Sequence, residues 1–209
     1  MGENKLVPVK SALSAVGSVL LACSVALSLN ATFANSAAAD EQDSEVMKKA
    51  EGLYSHGKLK EAGESFREAI RQEPNNAKAH QRLGAILAAQ EDYETAILES
   101  KQAAKLDPKY FLPHVVLGQI YANQGKVEQA LPEFEEACKL KPTSFRAHCD
   151  LGFALTHVGK VDEAIAAYTK ASEINPKDPT PHLNMGVLYA QQEKYPQAIK
   201  AEQEAITLN

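Results

Sequence analysis

Residues Phe145 to Asp178 read FRAHCDLGFALTHVGKVDEAIAAYTKASEINPKD, and their marks recur every 34 residues along the chain. Pro74, Pro108, Pro142 and Pro176 lie one period apart, as do Gly84, Gly118, Gly152 and Gly186. Ala62, Ala96, Ala130, Ala164 and Ala198 form a third series, and Ala69, Ala103, Ala137, Ala171 and Ala205 a fourth. Four series in register without an insertion define a tandem array, and a period of this length means a repeat architecture. With Phe145 as position 1, His148, Leu151, Gly152 and Leu155 make one helical stripe, which Gly159 interrupts. A second stripe carries Ala164, Ile165, Tyr168, Ala171 and Ile174. Asn175-Pro176 ends it, because a residue before proline is pushed out of the α region. Each unit is therefore two antiparallel helices and two short turns. Small residues at positions 8, 20 and 27 let helix axes approach closely, since larger side chains there would overpack the contact.

Positions 4, 7, 8, 11, 20, 24, 27 and 32 read H-L-G-L-A-Y-A-P, which resembles the tetratricopeptide repeat. The resemblance runs from residue 43 to 209 as units 43–76, 77–110, 111–144, 145–178 and 179–209. It implies an all-α fold, a right-handed solenoid of helix pairs, each pair burying its face on its neighbours. One departure is consistent. The family often has tryptophan at position 4, and this chain has His80, His114, His148 and His182, with Val46 in the first unit. The four histidines cannot converge on one metal ion, because successive units stand about 8 to 10 Å apart. They read as packing residues, and apolar burial of this kind would make the stack lose stability as pH falls and the rings protonate. The first unit has Lys49 at position 7, the expected polar cap of an end repeat. Pro132 falls inside a second helix, where a kink is expected.

Residues 1–39 carry Lys5 and Lys10, then an uncharged apolar run over residues 11–29, then Ala37-Ala38-Ala39 before the acidic Asp40. That is the pattern of an export signal, followed by a short linker at 40–42. Three fates stand open for it. The signal is cleaved after Ala39, or near Ala34. Alternatively, the run over 11–29 stays as a membrane anchor with the repeats outside. In the third, Leu20-Leu21-Ala22-Cys23 acts as a lipoprotein signal and Cys23 is acylated. In each, the repeats are exported and the membrane is met only through the N-terminal segment.

A net charge of −5 and the lack of a basic stripe argue against nucleic acid as a partner. The sequence offers no serine–histidine–acid order, phosphate-binding glycine loop or converging carboxylates, so neither catalysis nor a cofactor is expected. Cys138 and Cys149 flank one turn at similar distances, and read either as a disulfide or as two small buried thiols. What remains is surface. In the family, positions 2, 5, 9, 12 and 13 of the first helices line a concave groove that holds peptides. Carried over, this stripe gives Lys78, Gln81, Leu112, Val115, Gln119 and Asn123, and then Arg146, Phe153, His157, Leu183 and Val187, as peptide-binding candidates. Val115, Phe153, Leu183 and Val187 make its middle apolar, which suggests a binding patch. Lys78 and Arg82 match half of the clamp by which some members hold acidic chaperone tails, but the other half is missing. The expected function is a non-catalytic interaction scaffold for a protein or peptide partner, with a lipid-anchored subunit of an envelope assembly as the alternative. Ile199, Ile206 and Leu208 at the C-terminal helix are expected on an open face that favours self-association.

Overall fold

The computed structural model describes residues 44–208. The expected signal or anchor over 1–39, the linker at 40–42 and the acylation site at Cys23 lie outside the described residues. Among the described residues ten helices follow one another, two to a unit. The first helices are α1 (Glu45–Ser55), α3 (Ala77–Ala89), α5 (Leu112–Asn123), α7 (Phe145–His157) and α9 (Thr180–Gln191). The second helices are α2 (Leu59–Gln72), α4 (Tyr93–Leu106), α6 (Val127–Leu140), α8 (Val161–Ile174) and α10 (Tyr195–Leu208). No strand occurs among the described residues. Each helix packs on the next, and the first helices also touch across units, α3 on α5 and α5 on α7. The architecture is the expected solenoid of helix pairs.

The alanine series are the axis of the packing. All ten alanines at positions 20 and 27 are buried. The glycines at position 8 face position 24. A Cβ on Gly118 would lie 2.5 Å from the Phe134 ring, and one on Gly152 would lie 2.8 Å from that of Tyr168. The missing methyl is thus the space into which the aromatic ring fits. In the second unit the ring is replaced by Ser100, whose Oγ would stand 2.6 Å from a Cβ at Gly84, so those two helices are closer still.

Turn chemistry repeats too. Position 15 is left-handed in all five units: Gly57, Gly125 and Gly159 at φ of 72°, 72° and 78°, and Glu91 and Glu193 at 63° and 59°. Glycine adopts this region without steric cost, whereas the two glutamates do not. Ser44, Asn76 and Ser144 cap the first helices α1, α3 and α7, each accepting a bond from the backbone N–H three residues on. Helix α6 continues through Pro132, which leaves the Glu128 carbonyl without its helical donor.

The histidines depart from expectation. His80 is buried, but not among apolar groups. Its Nδ1 lies 2.6 Å from a Glu99 carboxylate oxygen and its Nε2 2.9 Å from the Pro74 carbonyl. His114 meets Glu133 at 2.8 Å, His182 meets Glu204 at 3.0 Å, and His148 Nε2 lies 3.0 Å from the Pro142 carbonyl. In the second, third and fourth units position 4 is a hydrogen-bonding post that ties a first helix to its own second helix or to the preceding turn, while in the fifth His182 stands beside Glu204 with no hydrogen bond at Nδ1. The pH argument from apolar burial loses its premise, because acceptors surround the rings.

Candidate functional site

The inner face of the first helices is built by a contact that recurs between units. Position 9 of one unit meets position 6 of the next, 31 residues on. Glu51 accepts a bond from Arg82 Nε at 2.9 Å, and Gln119 Nε2 donates to Asp150 Oδ2 at 2.9 Å. Neighbouring first helices are thus sewn together along the face expected to hold a ligand.

Around the first of these contacts lies a cationic and aromatic cluster. The Arg82 guanidinium stands over the Tyr54 ring, 4.9 Å from its centroid. Lys78 Nζ reaches the same Glu51 carboxylate at 3.7 Å. The Tyr110 hydroxyl donates to Gln81 Oε1 at 3.1 Å, and burial pushes its pKa up to about 12. For Arg82, burial works against the charge, but the Glu51 carboxylate and its hydrogen bond, with Tyr110 and Tyr54, outweigh it and the pKa ends above its ordinary value. The second contact has a different balance. Burial holds the Asp150 carboxyl above the usual aspartate range, although Arg146, 3.6 Å away, and the Gln119 amide pull the other way.

These contacts sort the candidates named from the sequence. Gln81, Val115 and Gln119 are buried, at 3%, 4% and 8% exposure, and offer no groove surface. Val115 packs with Ala137, Cys138 and Ala147 under Phe111 and Leu151, so it is core and not part of an apolar groove floor. The reason is geometric: a first helix in the stack packs on its own second helix, on the preceding one and on the next unit, and Gln81, Val115 and Gln119 of α3 and α5 serve the last of these contacts. Lys78, Leu112, Arg146, Phe153 and Val187 are half-buried, while Asn123, His157 and Leu183 are exposed. Lys78 and Arg146 are each engaged with a carboxylate of the chain itself. Phe153 and His157, one turn apart on α7, stack edge to face with centroids 4.2 Å apart. The inner face therefore has two halves, a charged one from α1 to α3 and an apolar one from α7 to α9.

Glu51, Tyr54, Tyr110 and Asp150 belong to this face and were missed by the stripe. The 31-residue pairing of opposite or hydrogen-bonding types was the signal available for them. Cys138, buried, and Cys149, half-buried, are not joined in a disulfide. Burial first, and then Asp150 and Glu135, push the Cys138 thiol up to about 12, so it is a packing group with little thiolate character. No helix among the described residues is long and apolar enough to cross a membrane.

Comparison with known proteins agrees with this architecture. A family model described as TPR repeat matches residues 118–158 and 156–193, and one described as tetratricopeptide repeat matches residues 47–111. No curated protein sequence matches the chain. Among solved structures, the pilF protein of Pseudomonas aeruginosa superposes with a TM-score of 0.71 at 21% identity, covering 78% of this chain and 75% of that one. MamA from Desulfovibrio magneticus RS-1 gives 0.69 at 23% identity, over 78% and 92%. YrrB, described as a TPR protein with an unusual peptide-binding site, gives 0.65 at 23% identity, over 78% and 84%. At these identities the likeness is one of fold.

Proposed function

The chain belongs to the tetratricopeptide repeat family, whose fold is typically a non-catalytic interaction scaffold, and from that premise we propose that it binds an extended or helical segment of a protein partner along the inner face of its first helices. The observation that carries this reading is Phe153. It is only half-buried, its ring leans on His157, and it holds position 9 of α7, as the half-buried Val187 does of α9. Aromatic side chains in such positions are typical binding anchors. The contact surface is smaller than the sequence stripe and lies toward α7 and α9. Lys78 and Arg146, already held by Glu51 and Asp150, orient a ligand by hydrogen bonding at the edge and are not free cations in search of a carboxylate. The proposed function is binding alone, with no reaction of its own. Export rests on the sequence of residues 1–39. Intact-mass measurement of the mature chain distinguishes cleavage after Ala39 from acylation of Cys23.

The test compares two residues two apart. Leu151 packs against three separate core clusters, so Leu151→Ala should cost about 2 to 5 kcal/mol of stability. Phe153→Ala should leave the melt within about 0.5 kcal/mol of wild type, as surface changes do. It should weaken partner capture by about 1 to 3 kcal/mol. If Phe153→Ala unfolds the chain as readily as Leu151→Ala, Phe153 is core and the site lies elsewhere.

A further inference from the structure

Four of the five large hydrophobic side chains exposed among the described residues belong to the last unit: Leu183 at 50%, Tyr195 at 49%, Ile199 at 55% and Ile206 at 72%. They occupy positions 5, 17, 21 and 28. None of the counterparts at these positions in the earlier units is exposed. The face is thus a defined interface, met four times within the chain and left open once.

The internal copies show what covers it. A Cβ on Gly63, at position 21, would lie 3.5 Å from Ile86 Cγ2 and 4.0 Å from Leu83 Cδ1 on the next first helix. Cys138, at position 28, packs with Ala147 of the next unit. Val161 and Ile165, at positions 17 and 21, pack against the cluster that holds Met185 and Leu188. In every case the covering element is a helix with an alanine or proline, a leucine or methionine, and an alanine, leucine or isoleucine at i, i+4 and i+7. Ala79–Leu83–Ile86 in α3 and Pro181–Met185–Leu188 in α9 are two examples, both buried. That spacing lies on one helix face.

We propose that the face formed by α9 and α10 docks an amphipathic α-helix of a partner protein carrying this same triad. The described residues cannot supply it from a second copy. Their complete triads are all consumed within the stack, and α1 presents Glu45, Lys49 and Gly52 at the three positions. A symmetric pairing of two α10 helices is disfavoured by Glu202. It takes the place that Phe134 and Tyr168 hold in the interior, is exposed, and lies on the same stripe between Ile199 and Ile206. Two-fold pairing would bring like charges together, whereas a foreign helix can set a lysine or arginine against it.

The chain provides its own probe. A peptide covering residues 76–90, hydrocarbon-stapled on its polar side and verified as helical by circular dichroism, carries Ala79–Leu83–Ile86. A stapled peptide covering residues 44–56 carries the Glu45, Lys49 and Gly52 set. Fluorescence anisotropy with the full chain should show binding of the first peptide, and at least tenfold weaker binding of the second. Ile199→Asp should reduce binding of the first peptide at least tenfold without moving the thermal melt, since Ile199 is exposed. Ile206→Asp should do the same. Failure of the first peptide to bind, equal binding of both, or indifference to both substitutions overturns the proposal. So does sedimentation that shows a dimer dissociated by Ile199→Asp, because a second copy would then be the occupant.

Discussion

The first and last units share one 34-residue frame and end the solenoid in opposite ways. At the leading positions 3, 7 and 10, where interior units bury Ala79, Leu83 and Ile86, α1 has Glu45, Lys49 and Gly52. At the trailing positions 17, 21 and 28, α10 keeps Tyr195, Ile199 and Ile206 in the open. Among the described residues one end is a polar cap and the other keeps an apolar surface of interior type exposed. In a stack, burial belongs to a position together with the unit that follows it, and the residue type alone does not determine it.

The largest test of that statement sets position 24 of the third unit against that of the fifth. Phe134 is 1% exposed and fills the space above Gly118. Phe134→Ala should lower the unfolding free energy by about 3 to 5 kcal/mol in urea titrations. Glu202→Ala, at the same position on the open end, should change it by less than about 0.5 kcal/mol. Comparable losses would mean that the last unit is packed like an interior one.

The glycines of position 8 sharpen the comparison, because an interior unit and the last one should differ in sign. Gly118→Ala drives a methyl to 2.5 Å from the Phe134 ring, which must shift, so a loss of about 1 to 3 kcal/mol is expected. At Gly186 the nearest atom is Glu202 Cγ at 3.1 Å, on a flexible and exposed side chain, and the next is at 3.6 Å. Gly186→Ala should therefore gain about 0.5 to 1 kcal/mol from helix propensity. Thermal melts of the pair decide it. A destabilised Gly186→Ala would show that α9 and α10 have no room to give.

Smaller again is the turn effect. Glu91 and Glu193 occupy a left-handed conformation that three glycines fill elsewhere. Glu91→Gly should stabilise by about 1 kcal/mol, less the entropy that glycine adds to the unfolded chain. The reverse substitution, Gly125→Glu, should cost a similar amount.

Much of this was legible because a repeat states each position several times. The alanine and glycine series identified the close-packed positions, and all ten alanines are buried as the spacing required. The exposed Ile199 and Ile206 were legible too, as apolar residues on the outer face of the last helix in the array. The inner face was less so. Helical periodicity marks which residues share a face, but it does not tell which face meets a second neighbour. Gln81, Val115 and Gln119 therefore read as groove while they serve contacts between units. The histidines misled for a related reason. Residue type suggested packing, whereas His80 and His114 hydrogen-bond carboxylates 19 residues away on the second helix of their own unit, and His148 a carbonyl of the preceding turn.

The two contacts sewn along the inner face differ in charge, and pH separates them. In the first, Glu51 pairs with Arg82 and Lys78. In the second, Asp150 faces the neutral Gln119 and its own Arg146, and burial leaves its pKa above the ordinary value. A carboxyl raised in the folded state gives its full stabilisation below the unfolded value, about 3.9. That contribution is lost as pH rises through the folded value. Ionised Asp150 is thus a liability at neutral pH. Relative to Asp150→Asn, which keeps an acceptor for Gln119 and carries no charge, the wild type should gain stability as pH falls from 7.5 to 4. Melting temperatures of both proteins at the two pH values measure this directly. A difference that stays constant, or that moves in the other direction, would mean that Arg146 and Gln119 outweigh burial, and that the second contact is as well compensated as the first.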